Sequence, residues 1–224
     1  MAITEDRPLA LEAGTVTKVA ERPLGALTRP QSDVGWASWF TTVDHKKIGI
    51  MYGVGSLFFF LFGGVEALMI RIQLAAPDGQ FLSESLYNQV FTMHGVTMVF
   101  LVIMPMAAAF ANYLLPLQVG ARDVAFPRLN AFSFWCWLAG AIFLNTSWFL
   151  GGAPDGGWFA YAPNTSVTFA PGSGMDFYAI GLQIVGIASL VSAINLIVTV
   201  LNMRAPGMSL LKMPVLTWML LVTQ

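Results

Sequence analysis

The sequence predicts an all-α integral membrane protein, a bundle of transmembrane helices. Three observations predict it. Of 224 residues, 56% are hydrophobic and only 10% charged, where a soluble domain of this size carries about a quarter charged. The mean hydropathy is +0.68. The apolar residues also gather into runs of about 20 or more, the length a helix needs to cross the hydrocarbon core.

Four such runs are legible, 48–70, 90–116, 129–150 and 177–203, and a fifth begins near Pro214. The fifth ("MPVLTWMLLVTQ") reaches the end of the chain after about eleven residues, too few to cross. Four complete spans and a truncated fifth are therefore expected. Residues 1–35 mix charge with Pro and Gly and hold no run of spanning length, nor the basic start and apolar stretch of a signal peptide. They read as a mobile tail ahead of a helical part covering 36–224. The remaining composition narrows the class. A net charge of −1 opposes a nucleic-acid partner, which would call for a basic surface. Cys136 is the only cysteine, which excludes disulfide frameworks and cysteine metal sites.

Flanking charge orients the bundle. Lys46 and Lys47 precede the first span, Arg122 and Arg128 separate the second from the third, and Arg204 and Lys212 follow the fourth. The alternate loops hold Asp78, Glu84, Asp155 and Asp176, with Arg71 as their only base. Basic residues collect on the cytoplasmic side, so the N-terminus is expected inside. Depth then follows from helix rise. His94 lies about 7 Å below the outer edge of the second span, and Asn112 about 27 Å further in, at ~1.5 Å per residue.

His94 stands in "FTMHGVTMVF", where an imidazole has no water to bond. Ionisable groups inside a membrane are costly and face a partner or a cavity. Two readings stay open on the residues alone: a metal or haem ligand, or a hydrogen bond between helices. The only other histidine, His45, sits beside Lys46 and reads as an interfacial residue. One imidazole cannot close a zinc or copper site, whereas haem iron can use a single axial ligand.

The segments "WFTTVDHKKIGIMY", "FTMHG", "NYLLPLQVGARDVAFPRLNAFSFW" and "LNMRAPGMSLLKMPVLTW" resemble the opening helices of subunit I of the haem–copper respiratory oxidases. The resemblance runs from about residue 36 to the end and is nearest to the bacterial cytochrome c oxidases. It implies that His94 is an axial ligand of a low-spin haem and that Arg71 contacts a peripheral polar group of it. On residues alone, Arg71 reads as a snorkelling interfacial arginine. Trp158 and Tyr161, in "GGWFAYAP", match an outer-loop motif over the haem propionates; the alternative is an ordinary aromatic belt. Ala162 stands where the family usually has a second proline. Asp123, in "GARDVAFP", matches the mouth of a proton-conducting pathway, continued by Asn112, Asn130, Ser189 and Asn195. Without that context Asp123 reads as a solvated loop acid. Tyr52 matches the lining of the same entrance.

Glu66 is unassigned. It lies about 140° around the helix from Arg71, too far for a local pair. In quinol-oxidising members an acid there helps hold quinol with an arginine, a histidine and a glutamine. Gln89 is present, but Phe62 and Leu86 occupy the arginine and histidine positions. Cytochrome c is thus the expected electron donor, with other oxidase subunits, lipid and dioxygen as partners, in a bacterial cell membrane. The high-spin haem and copper of the family are expected to be held by later helices, so a longer subunit is implied. The competing readings are a quinol oxidase, a transporter using Arg71, Glu66 and His94 as a polar path, and a non-catalytic helical fragment.

Overall fold

The computed structural model describes residues 35–224, so all but the last residue of the expected N-terminal tail lies outside the described residues. Those described form helices and loops without a strand. In order they are α1 (His45–Gln73), α2 (Glu84–Val96), a π-helical segment (Thr97–Ile103), α3 (Met104–Val119), α4 (Pro127–Thr146), α5 (Gly174–Asn202) and α6 (Val215–Thr223). Short 3₁₀ turns cover Trp36–Trp39, Ser147–Phe149 and Leu210–Lys212.

Among the described residues, three helices are long and apolar enough to cross a membrane: α1, the continuous helix Glu84–Val119 made of α2, the π segment and α3, and α5. The expected third span corresponds to the 20-residue α4 and the expected fifth to the nine-residue α6. The helices outrun the apolar windows because polar residues cap them. Asp44 accepts hydrogen bonds from the backbone N–H groups of Lys46 (2.9 Å) and Lys47 (3.4 Å). Ser83 caps α2 through the Leu86 N–H, at 3.3 Å. Such caps satisfy donors that the first turn leaves unpaired. At the far end, Gly120 takes the left-handed conformation (φ 73°) that stops α3.

Small residues bring the helices into backbone contact. A Cβ added at Gly49 of α1 would stand 2.9 Å from the Ala109 carbonyl oxygen and 3.1 Å from the Tyr113 nitrogen, both on α3. A Cβ at Gly140 of α4 would meet the Gly181 carbonyl oxygen of α5 at 3.1 Å. Close backbone approach through small residues is how membrane helices gain packing where lipid supplies no hydrophobic driving force between them. The interior holds Tyr52, Phe59, Phe134, Trp137 and Leu144, while Phe58, Leu61, Val65, Phe110 and Ile142 point outward. An apolar exterior of this kind suits hydrocarbon as the surrounding solvent.

Two prolines shape the second long helix. Proline has no N–H, so a carbonyl one turn earlier loses its donor. In the π segment, Met104 N–H bonds Val99 C=O, five residues back. Continued one step, that register would pair Phe100 C=O with residue 105, which is proline. Trp137 of α4 supplies the missing donor through Nε1, 3.3 Å from the Phe100 oxygen. Pro116 likewise deprives Asn112 C=O, and His45 of α1 takes its place: its Nδ1 stands 2.7 Å from that oxygen. His45, expected at the interface, is thus also packed against its neighbour helix. It is 3% exposed and ties α1 to α3.

Candidate functional site

His94 is half-buried in the last turn of α2 and faces α1. Its Nδ1 lies 2.9 Å from the carbonyl oxygen of Gly63. That oxygen can only accept, so Nδ1 carries the hydrogen and the lone pair falls on Nε2. A backbone carbonyl holding one ring nitrogen is the usual arrangement behind a metal-ligating histidine, where it fixes both tautomer and ring orientation. Gly63 lets α2 and the π segment come close: a Cβ there would stand 3.0 Å from Met98 Sδ and 3.2 Å from Thr97 Cγ2. Among the described residues no three His, Cys, Asp or Glu side chains gather as a metal cluster. The donor set thus fits a group that needs one imidazole.

The loop after α4 is seated on α2 beside this histidine. Gln89 Oε1 accepts from Ala153 N–H at 3.1 Å, and Thr92 Oγ1 accepts from Gly157 N–H at 2.9 Å. One turn further, Trp158 lies over Gly95, where an added Cβ would be 3.1 Å from Trp158 Cβ. The Trp158 carbonyl accepts from the Tyr178 hydroxyl of α5. Trp158 is therefore brought to the turn of α2 that carries His94, and it is 43% exposed. Tyr161 packs against Phe159 with the rings tilted and their centroids 4.9 Å apart, and it is 70% exposed. Arg71 is exposed in the last turn of α1. Gln89, Thr92 and Gly95 repeat every three residues along one face of α2; this spacing was the available sequence signal for the loop seat, and sequence reasoning missed it.

A second set of polar residues gathers toward the other end. Asp123, 9% exposed, accepts from Val124 N–H at 2.8 Å in the loop between α3 and α4. Helix α5 holds that loop: Asn195 accepts from Phe126 N–H at 2.8 Å and returns a bond from Nδ2 to Phe126 C=O at 3.3 Å. Thr199 Oγ1 accepts from Ala125 N–H at 2.8 Å. Asn195 thus has both amide groups engaged in clamping backbone. Asn130 differs: it is fully buried, and neither of its amide atoms has a protein partner. Asn112 is buried too, its Nδ2 bonded to Ala108 C=O at 2.8 Å and its Oδ1 without a partner. Tyr52 donates to Ser133 Oγ at 3.1 Å, and Ser133 donates to the Asn130 carbonyl at 2.8 Å. Ser189 is exposed on α5 and lines, with Tyr52 and Ser192, a cleft of about 240 Å³.

A third feature lies on the flank of α1. A cavity of about 540 Å³ between α1, α2 and α4 is lined by Phe58, Phe62, Leu86, Val90 and Phe149 among others. Glu66, 4% exposed, reaches it with Asn145 and Trp148, and each carries a buried polar atom without a hydrogen bond. The Thr97 hydroxyl approaches the Glu66 carboxyl without completing one.

Comparison with known proteins decides the family. The family model described as "Cytochrome C and Quinol oxidase polypeptide I" matches residues 47–224. The chain belongs to this family. Cytochrome c oxidase subunit 1 of Bacillus sp. (strain PS3) is 56% identical over 192 residues, 85% of this chain and 31% of that protein. The same subunit of Bacillus subtilis (strain 168) is 54% identical over 197 residues, 87% of this chain and 31% of that protein. Quinol oxidase subunit 1 of Bacillus subtilis (strain 168) is 48% identical over 188 residues, 84% of this chain and 29% of that protein. The chain spans about a third of the length of these curated relatives. It is a membrane protein of the respiratory oxidases, and both donor classes occur among its relatives.

Proposed function

We propose that this chain is the N-terminal part of the catalytic subunit of a cytochrome c oxidase, which reduces dioxygen to water and couples that to proton translocation. The observation that carries the reading is His94, an intramembrane imidazole whose Nδ1–H is held by Gly63 C=O, leaving Nε2 for iron. A low-spin haem held there by His94 would supply one-electron transfer. The chain's own residues do the rest. Gly63 aims the ring. The 153–158 loop, seated on Gln89, Thr92 and Gly95, shields this end of α2. Trp158 and Tyr161 stand at the end of that loop and just after it, both with exposed surface, and Arg71 offers a cation in the last turn of α1.

We read the chain as crossing four times, α4 being the third crossing, with the N-terminus inside. The charges at Lys46, Lys47, Arg122, Arg128, Arg204 and Lys212 support this. Asp123 then collects protons at the inner surface. Asn112 through its Oδ1 and Asn130 through both amide atoms carry them on through water, which is what buried polar atoms without protein partners bind. Ser189 continues the line along the α5 cleft. Asn195 serves the route by holding the entrance loop. The high-spin haem and copper belong to segments of the longer subunit.

A quinol donor is the second reading, favoured by the bilayer-facing cavity with Glu66, Asn145 and Trp148 unsatisfied inside it. Assaying the full-length enzyme with reduced cytochrome c and with ubiquinol separates the two. Oxygen consumption with cytochrome c alone supports the first; turnover with ubiquinol alone overturns it. In the same enzyme Asp123→Asn slows turnover and proton uptake while the haem spectrum stays. An unchanged rate and proton yield would reject the role of Asp123.

A further inference from the structure

His45 and Pro116 are 71 positions apart, yet they act on one atom. In an α-helix the carbonyl of Asn112 takes the N–H of residue 116, and Pro116 has none to give. The Asn112 oxygen lies in a buried stretch where no solvent replaces the lost donor. His45 Nδ1, at 2.7 Å, is what it bonds instead. The reach is short because α1 and α3 touch one turn further along, at Gly49 against Ala109 and Tyr113. Asp44, capping the first turn of α1, fixes the residue that carries the imidazole. Asn112 is thereby held at two points, its carbonyl by His45 and its Nδ2 by Ala108, which leaves Oδ1 as its single open group.

We propose that His45 is a positioning residue for proton transfer: it stands in for the backbone donor that Pro116 lacks and so sets where Asn112 points its unpaired Oδ1. The proposal rests on the proton-entry reading above. It does not require His45 to change charge. Its neutral form with Nδ1–H suffices, because a carbonyl can only accept. Asparagine keeps the role, since its amide nitrogen occupies the place of Nδ1; glutamine, whose nitrogen overlays Nε2, and alanine do not.

The test uses the full-length oxidase carrying His45→Ala, His45→Gln, His45→Asn, Pro116→Ala, and His45→Ala combined with Pro116→Ala, with Asp123→Asn as reference. Proton-uptake rate, low-spin haem absorption and melting temperature are read on each. Removing one net hydrogen bond should slow uptake about fivefold in His45→Ala and His45→Gln, with the haem band unchanged. His45→Asn runs at the wild-type rate. Adding Pro116→Ala to His45→Ala returns a backbone N–H to Asn112 and restores uptake. Wild-type uptake in His45→Gln overturns the proposal, as does a loss that Pro116→Ala leaves uncorrected. A lowered melting temperature with normal uptake overturns it too, because His45 would then be a staple only. Should His45→Ala not fold, His45→Gln against His45→Asn carries the same comparison. Normal uptake in Asp123→Asn rejects that entrance, while a slow, Pro116-rescued His45→Ala still supports the positioning of Asn112.

Discussion

Replacing Thr92 by valine removes one oxygen and keeps the shape of a side chain that is fully buried in α2. Its hydroxyl is the acceptor for the buried Gly157 N–H, at 2.9 Å. No other acceptor is bonded to that N–H, so the variant leaves a donor unpaired inside the protein. Such a loss costs about 1–3 kcal/mol. The loop keeps three further attachments, Gln89 to Ala153, the Tyr178 hydroxyl to the Trp158 carbonyl, and Trp158 against Gly95, so it loosens without detaching. At about 1.4 kcal/mol per tenfold, the open population rises roughly 5- to 150-fold. Hydrogen exchange of the 153–158 amides in the full-length protein, reconstituted in lipid, reads that population directly. The amides of Ala153 and of residues 155–158 should exchange faster by that factor, while amides in the middle of α5 keep their wild-type protection. Unchanged exchange at Gly157 would refute the claim that α2 seats this loop.

Other substitutions probe the packing and the inner end. Gly140→Ala places a methyl 3.1 Å from the Gly181 carbonyl oxygen; the α4–α5 contact must open, and the melting temperature should fall by an amount matching about 1–3 kcal/mol. Asn195→Leu removes both bonds to Phe126, and proteolysis within 121–128 should rise severalfold with the haem spectrum preserved. Trp137→Phe strips the donor from Phe100 C=O; exchange of the amides in the π segment should accelerate about fivefold, the net worth of one hydrogen bond.

The helical class and the order of the elements were legible because apolar runs of spanning length have no other use. The ends were less so. Glu84 and Ser85 look like loop in a hydropathy profile, yet Ser83 caps a helix that begins there. The π segment left no trace in the apolar pattern, because a one-residue widening of the turn changes neither composition nor length. Pro105 was its sign, and its meaning depended on Trp137 reaching the Phe100 carbonyl from another helix. The burial of His45 was hidden for the same reason. Its neighbours Lys46 and Lys47 suggest an interface, and only the approach of α3 at Gly49 buries it. Among the site residues, Trp158 packs on Gly95, the neighbour of His94, whereas Ser189 is exposed. Asn195 proved to be a loop clamp because α5 presents it to Phe126, a tertiary fact that spacing along one helix does not encode.

The central claim is that His94 offers its Nε2 to iron because Gly63 holds its Nδ1–H. Nitrogen hyperfine spectroscopy of the low-spin ferric haem, in full-length enzyme labelled at each histidine nitrogen in turn, tests it most directly. Coupling to Nε2 that disappears in His94→Ala is the predicted result; coupling through Nδ1, or a signal indifferent to that substitution, would contradict it.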